Sequence, residues 1–518
     1  EPLPPPLPKK QLQRAESLPE PALAWDDPPA RTGSINAASQ RSCQAGAAGS
    51  STPQDRPCWG HRRPLTKSQS LGTPAAWKGS AAPWASPAEL TFATPDGELG
   101  GLLQGRAGLR EVLVGAQRAA LARLAARVQD TLLGHEERTP LLAAELAGKK
   151  WAALRLLGTE PCCDAGDAWY FRVGFASGQT QLVFAAKVLK SHSCGLAVQT
   201  SLGPHCSIQQ VIGHFTDRLP QELVLPRDTR QHRQPAEEDT ALLGSPRVLQ
   251  VLISPEIPYQ TLADFVKESR KVHGSSPGHY ERLVCLLLLQ VCAGLEHLKA
   301  QSAGRGDVCP ENLLLVQCPR PPLSQQSPGT APGLSLPRLL ISNFFKAKEK
   351  RRPCSTTQEQ DWAEGFSAPS SPVADELHIG MLIYVLLHVD ISLETALGFG
   401  GNRLPEIPSL SIYSTGLKRL ATLLLHRDPC KRVSVEEAKS ILQVLLWGPR
   451  QELFARSKKT PDLLQSWVDV KRALLLLKFA EKTAGAGASP TLEEWLCCQY
   501  FEEVTEHTLY RVTQVLYA

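Results

Sequence analysis

Four polar side chains have the types and spacing that phosphoryl transfer from a nucleotide would use. They are Lys187 at the end of an apolar run, Asp307 and Asn312 in Asp-Val-Cys-Pro-Glu-Asn, and Asn343 in Ser-Asn-Phe-Phe. A lysine can hold nucleotide phosphates, an aspartate can orient the attacking hydroxyl, and oxygen ligands can hold magnesium. Asn343 offers a neutral amide where magnesium favours a carboxylate, so we expect no metal and no cofactor.

These side chains must be positioned by strands that are followed by helices. The pattern of apolar residues predicts strands over 169–175, 182–189 and 248–253, with Ser177-Gly178-Gln179 as the first turn. Longer apolar runs predict helices over 283–298, 376–388, 416–425 and 435–447. A Pro/Ser/Gly-rich insertion over 317–337 is predicted to be a loop. This order favours an α+β fold with two lobes.

Five motifs, all in the correct order, make residues 162–446 resemble the protein-kinase fold. The motifs are Phe184-Ala185-Ala186-Lys187, Leu295-Glu296-His297-Leu298, the Asp307/Asn312 pair, Asp375 to Gly380, and Asp428-Pro429-Cys430-Lys431-Arg432. They correspond to the kinase strand-three lysine, the helix before the catalytic loop, the loop itself, and two later motifs of the C-lobe. The resemblance implies the two-lobed fold of a protein kinase.

The same region departs from working kinases at four places. The glycine-rich loop is replaced by Cys163-Asp164-Ala165-Gly166-Asp167-Ala168, whose carboxylates would repel phosphates. No acidic residue occurs over 188–216 to pair with Lys187, and Gln199 or Gln209 is the nearest polar substitute. Arg305-Gly306-Asp307 replaces His-Arg-Asp, and Asn343 replaces the metal-binding aspartate.

These losses predict an inactive scaffold, because each missing electrostatic element costs several kcal/mol of transition-state stabilisation. In this interpretation, Lys187, Asp307 and Asn312 form a degenerate site in which no residue is catalytic. Two alternatives stay open at this point. One is a weak or atypical protein kinase that uses Lys187 and Asp307, and the other is a pseudokinase that senses a nucleotide without turnover.

The segments around the kinase-like region divide the chain into four parts. Residues 1–88 are rich in Pro, Ser, Gly and Ala and predict a disordered tail. Residues 90–160 contain a predicted helix over 111–133 with an apolar stripe. Residues 162–446 form the pseudokinase domain, and residues 447–518 predict further amphipathic helices over 461–482 and 490–517.

Three further motifs resemble the PEAK family of pseudokinase scaffolds, which includes Pragmin. They are Ser342 to Lys348, Leu446-Trp447-Gly448-Pro449, and Glu494 to Tyr500. The resemblance covers about residues 90–518, and the chain length suggests the smallest member. It implies a split helical module that forms homodimers and heteromers with family relatives. It also implies a role in cell motility and actin or adhesion signalling in the cytoplasm.

The apolar residues of the flanking helices are the predicted dimerisation residues. They are Val114, Leu121, Leu124, Val128 and Leu132 before the kinase-like region, and Trp467, Leu474, Leu477, Trp495, Leu496 and Tyr500 after it. An apolar stripe must be covered by another element, so the two sets can cover each other. The alternative is a bundle within one chain that only braces the C-lobe.

A proline-rich motif near the start of the chain predicts binding to an SH3 domain. Pro5, Pro6, Leu7, Pro8 and Lys10 fit the pattern P-x-L-P-x-K. Prolines favour a polyproline II helix, whose ridges enter aromatic grooves, while the lysine meets an acidic pocket. The pattern resembles the ligand of Crk-type SH3 adaptors.

A second tail motif predicts binding to 14-3-3 after phosphorylation. Arg14, Ser17 and Pro19 fit R-x-x-S-x-P, in which a phosphorylated Ser17 would face an arginine cluster. The chain would therefore be a phosphoprotein. Leu7 and Ser17 are close enough that bound 14-3-3 would obstruct the SH3 site.

Composition excludes several other classes of function. The formal net charge of +5 over 518 residues favours neither nucleic acid nor a membrane surface as partner. The sequence predicts no membrane span. The 14 cysteines show no zinc-binding spacing and favour reduced thiols in the cytoplasm. The chain begins at Glu1 and its single methionine is Met381, which we interpret as a piece of a longer protein.

Overall fold

A computed structural model describes most of the chain beyond the tail. The described residues are 94–104, 106–133, 139–190, 202–225, 248–303, 305–318, 336–345, 375–388, 406–455, 457–484 and 491–517. Both tail motifs, with Pro5, Pro6, Leu7, Pro8, Lys10, Arg14, Ser17 and Pro19, lie outside them. Gln199 and most of the 317–337 insertion lie outside them as well.

The first part of the fold is a group of helices followed by an antiparallel sheet. The helices are α1 (Asp96–Gln104), α2 (Arg106–Leu133) and α3 (Thr139–Leu146). The strands are β1 (Arg155–Leu156), β2 (Cys163–Asp164), β3 (Ala168–Ser177), β4 (Thr180–Leu189), β5 (Gly213–Arg218) and β6 (Val248–Ser254). They are ordered β1-β3-β4-β6-β5, with β2 also paired to β3.

The β3–β4 hairpin carries Lys187 into the interior. Its register pairs Ser177 with Thr180, and Gly178 supplies the positive φ (59°) that a tight turn requires. The predicted strands and turn are confirmed, while β5 was missed because its polar residues break the apolar pattern. Residues on one face of the hairpin, such as Phe171 and Ala186, enter the sheet core. Lys187 points to the other side, toward the second lobe.

The second lobe combines short strands with long helices. Its elements are β7 (Pro258–Thr261), α4 (Leu262–Glu268), α5 (Arg270–Ser275), α6 (Pro277–Ala300), β8 (Arg305–Gly306), β9 (Leu313–Val316), β10 (Arg338–Ile341), β11 (Phe344–Phe345), α7 (Asp375–Leu387), α8 (Ser414–Leu424) and α9 (Val435–Trp447). The 317–337 insertion joins β9 to β10, which pair antiparallel. The predicted helices and the two-lobed α+β fold are therefore confirmed.

Helix α6 is the centre of this lobe. Its first residue is Pro277, which suits the first turn of a helix because proline lacks the N–H that would stay unpaired there. Among the described helices, it alone is long and apolar enough to meet a length-and-composition test for crossing a membrane. Its most apolar window is 72% buried inside the fold, as is typical of a core helix.

Three C-terminal helices complete a bundle with α2. They are α10 (Pro461–Ala484), α11 (Leu492–Glu503) and α12 (Glu506–Tyr517). Thr491 and Glu494 form a capping box that starts α11. Helix α2 packs along α11 and also touches α10. The buried Arg472 of α10 donates hydrogen bonds to the carbonyls of Phe501 and Val504, 2.7 Å each, and so fixes the end of α11.

Candidate functional site

The three residues Asp307, Asn312 and Asn343 meet where the short strands of the second lobe end. The β8–β11 and β9–β10 pairs bring the two loops together, and the Asp307 N–H donates to the Asn343 carbonyl at 2.9 Å. Asn312 Nδ2 donates to Asp307 Oδ2 at 2.9 Å, whereas Asn343 Nδ2 lies 3.5 Å from the same oxygen. The structure thus brings these three predicted site residues together, and their hydrogen bonds hold them in place.

Lys187 faces the same cleft and is almost fully buried, at 2% exposure. Its ammonium lies 2.9 Å from Asp167 Oδ2 and donates to the Ser342 carbonyl at 2.7 Å. A buried ammonium needs such partners, since desolvation of an unpaired charge costs several kcal/mol. The counter-charge that a kinase supplies from a helix comes here from the turn between β2 and β3.

That turn lies directly on the loop that would hold magnesium. The Asp167 N–H donates to Asn312 Oδ1 at 3.0 Å, and the Gly166 N–H donates to the Glu311 carbonyl at 3.1 Å. A Cβ atom added to Gly166 would lie 2.7 Å from Asn312 Oδ1. Direct hydrogen bonds between the two loops leave no room for phosphates between them. Glycine at 166 permits this close approach.

The wall behind Lys187 is built without a helix in its described part. Residues 202–212 run as irregular chain, where the Gln209 N–H donates to the Ile341 carbonyl at 3.0 Å and the Ile341 N–H to the Ser207 carbonyl at 2.9 Å. Tyr170 is fully buried and its hydroxyl donates to Gln209 Oε1 at 3.3 Å. Burial raises the pKa of Tyr170 well above its ordinary value. Gln209 therefore accepts the hydrogen bond of the buried tyrosine.

The donor set of this cleft does not fit a magnesium-bound nucleotide. Both polar atoms of the Asn312 amide already have protein partners, and Asn343 presents a neutral amide. Within the described ranges no group of three or more His, Cys, Asp or Glu side chains could hold a metal ion. The cleft can brace the two lobes against each other, and we assign it no step of chemistry.

The bundle contains a second candidate site, the outer face of α10, formed by Val470, Leu474 and Leu477. These side chains are 57%, 53% and 58% exposed and recur at the i, i+4 and i+7 spacing of one helical stripe. Leu113 of α2 is also half exposed. Such a row of apolar residues on a helix is typical of a surface that another element covers.

The other predicted dimerisation residues lie elsewhere in the bundle. Three of them, Trp495, Leu496 and Tyr500, are at most 4% exposed, and Trp467 packs on Phe501 with ring centroids 6.2 Å apart. On α2, Leu121 and Val128 are buried, Val114 and Leu124 are half-buried, and the side chain of Leu132 is outside the described part. These residues cover each other within one chain, whereas Leu474 and Leu477 do not join them.

Two relatives in sequence and one solved structure that resemble this chain come from the same family. The inactive tyrosine-protein kinase PRAG1 of Mus musculus is 36% identical over 451 residues, and inactive tyrosine-protein kinase PEAK1 of Mus musculus is 36% identical over 470. A crystal structure of the pseudokinase PEAK1 matches with a TM-score of 0.58 and 35% identity, covering 77% of this chain and 97% of that chain. The chain belongs to the PEAK family of pseudokinases. No protein-family model matches it.

The match to these PEAK-family relatives covers only part of them. The two alignments span 78% and 79% of this chain but 32% of PRAG1 and 27% of PEAK1, so the chain spans about a third of their length or less. Membership of the family, the kinase-like fold and the kinship with inactive kinases are therefore shown. The activity and partners of the whole protein are a matter for proposal.

Sequence reasoning missed one residue of the cleft, the carboxylate of Asp167. Its sequence position suggested a group that repels phosphates, and the structure adds that the same group pairs with Lys187. Asp164, the last residue of β2, pairs with Lys190 at 2.6 Å. Two acids at and after the end of β2, opposite two lysines near the end of β4, are the signal that could have predicted both pairs.

Proposed function

We propose that this PEAK-family chain is a catalytically inactive scaffold that joins proteins together and transfers no phosphate. The observation that carries this proposal is the closed cleft, where Asp167 pairs with Lys187 and donates to Asn312. The loop that would cover a nucleotide is hydrogen-bonded to the loop that would bind its metal. Phosphoryl transfer depends on positioning the nucleotide and neutralising the charge of its phosphates. Here the side chains that could do so are paired with other groups of the protein.

The scaffold acts as a homodimer through the outer face of α10. Burial of a Val or Leu side chain contributes roughly 1.5–3 kcal/mol, so the stripe of Val470, Leu474 and Leu477 is a substantial source of association energy. In a two-fold dimer each copy presents the same patch, so one stripe meets its own counterpart. A related stripe on PEAK-family relatives would permit heteromers by the same contact.

The tail supplies the ligands for other proteins. Pro5, Pro6, Leu7, Pro8 and Lys10 would bind Crk-type SH3 adaptors through a polyproline II helix. Arg14, Ser17 and Pro19 would bind 14-3-3 once Ser17 is phosphorylated. Two copies in a dimer double the number of tail motifs, which raises the effective concentration of bound adaptors. We assign the assembly to cell motility and to actin or adhesion signalling in the cytoplasm, on the family likeness.

The dimer is tested by light scattering behind a sizing column. We expect twice the chain mass for the intact protein and the chain mass for Leu474→Glu, because the variant places a charge in an apolar contact. Ala480→Glu is the matched control, since Ala480 is exposed on α10 but lies off the stripe. Circular dichroism should be native for both variants. A folded Leu474→Glu chain that keeps the double mass would refute this interface.

A further inference from the structure

A cleft of about 270 Å³ lies where the second lobe meets the bundle, and its lining includes no residue of the phosphotransfer cleft. Its walls come from α6, α9 and α11, with His205 contributed by the chain between β4 and β5. The residues that decide its chemistry are His205, Glu296, His297, Lys439, Trp495 and Glu503. We call it the junction cleft. Its size is close to the lower end for small-molecule sites, so it suits a single side chain.

The junction cleft carries an excess of negative charge. The Lys439 ammonium lies 2.7 Å from a Glu296 oxygen and 3.9 Å from a Glu503 oxygen, so one cation serves two carboxylates. The Glu503 side chain is 65% exposed and can therefore receive another partner.

The His205 ring of the junction cleft does not offset this charge. The rings of His205 and His297 stack with centroids 4.6 Å apart. Burial and the neighbouring His297 lower the pKa of His205 to about 3, so this ring is neutral near pH 7. Nε2 of His297 is buried and has no hydrogen-bond partner among the described residues.

One wall of the junction cleft also holds an unpaired donor. Trp495 is 3% exposed, and its indole Nε1 finds no acceptor within the part of the chain that the structure describes. An indole N–H can only donate, and its burial without an acceptor is unfavourable. A ligand that suits this cleft therefore combines a cationic head with a carbonyl oxygen.

We propose that the junction cleft binds an arginine residue of a partner protein. A guanidinium can donate to Glu503 and to a second acceptor at once, because its N–H groups form a planar fork. Its methylene groups fit against Leu289, Ala293 and Leu496 in the same lining. The peptide carbonyl beside it supplies the kind of acceptor that Trp495 lacks. The charge of the cleft disfavours phosphopeptides and other anions.

The direct test is calorimetric titration of the intact chain with Nα-acetyl-arginine amide. We expect saturable binding with a Kd on the order of 1 mM, as befits one side chain, and weaker binding at high salt. Nα-acetyl-citrulline amide has the same shape without the charge and should bind at least about ten-fold more weakly. Equal binding of the two amides, or no saturable binding of the arginine amide, would overturn the proposal.

Two variants locate the binding. Glu503→Gln should weaken arginine-amide binding about five-fold or more, whereas Glu502→Gln, at a neighbouring position outside the cleft lining, should change it less than two-fold. Equal losses in both variants would indicate only a diffuse field and would contradict a specific site. Ala300→Trp changes an exposed lining residue at the end of α6 and should block the cleft without unfolding the chain. Wild-type affinity in a folded Ala300→Trp chain would also contradict the assignment.

Discussion

The closed cleft and the outer face of α10 differ in whether their side chains are buried and paired within the chain. In the cleft, Lys187 is 2% exposed and its charge is met by Asp167, which also reaches Asn312 through its N–H. On α10, Leu474 and Leu477 are more than half exposed although they are apolar. A cleft whose polar groups already pair with each other gains little free energy by binding a small ligand. An open apolar surface gains free energy by meeting another protein, so the contrast favours assembly over chemistry.

The largest expected effect comes from a charge placed inside the bundle. Trp495→Glu removes a side chain that is 3% exposed and buries a carboxylate in its place, which should cost at least several kcal/mol of unfolding free energy. Leu474→Glu should change that free energy by less than about 1 kcal/mol, because its site is exposed. Urea denaturation of both variants, at protein concentrations too low for dimers to form, measures the difference. Equal losses would erase the contrast between buried and open faces.

The next effect comes from breaking the ion pair of the cleft. Asp167→Ala leaves the Lys187 ammonium buried without its carboxylate, which should cost roughly 3–5 kcal/mol of unfolding free energy. Removing both partners in Asp167→Ala/Lys187→Met should cost less than the single change, since no uncompensated charge remains. Thermal or chemical unfolding of the two variants checks the order. A single variant as stable as the wild-type chain would show that the pair does not hold the cleft closed.

A smaller effect is expected from pH at the junction between the lobe and the bundle. The pKa of His205 is lowered to about 3 by burial, then by His297, Arg338 and Lys439. Below about pH 6.5, His205 binds a proton in the unfolded chain but not in the folded chain. The free energy of unfolding therefore falls as pH falls toward 3. From pH 7 to pH 5 this loss should reach about 2 kcal/mol at most. The His205→Gln variant should lose about that much less stability between pH 7 and pH 5 than the wild-type chain. An unchanged pH profile in this variant would contradict the role of His205.

The fold could be predicted from sequence because its signals are local and strong. The apolar runs of α6 and α9 and the Gly178 turn each favour one structure, and the structure contains them. Strand β5 has His214, Thr216 and Asp217 among its residues, and its place at the sheet edge depends on pairing with β6. Such a pairing joins residues far apart in sequence and leaves no periodic signal.

The candidate site could be predicted only in part. Asp307, Asn312 and Asn343 belong to ordered motifs, so their meeting followed from sequence. The partner of Lys187 did not, because Asp167 acts through a close approach of two loops that depends on the whole fold. The same limit applies to the bundle, where the apolar pattern marks Leu474 and Trp495 alike. Only packing separates the exposed side chain from the buried one.

The proposed function requires that the chain's own residues close the cleft and that the cleft binds no nucleotide. A thermal-shift titration of the intact chain with ATP, alone and with magnesium or manganese, tests it directly. A ligand at 100 times its Kd stabilises a folded protein by about 2.7 kcal/mol, so binding would be visible. We predict an unchanged melting temperature in every condition. A metal-dependent rise, accompanied by phosphate release that is lost in Asp307→Ala, would contradict the claim.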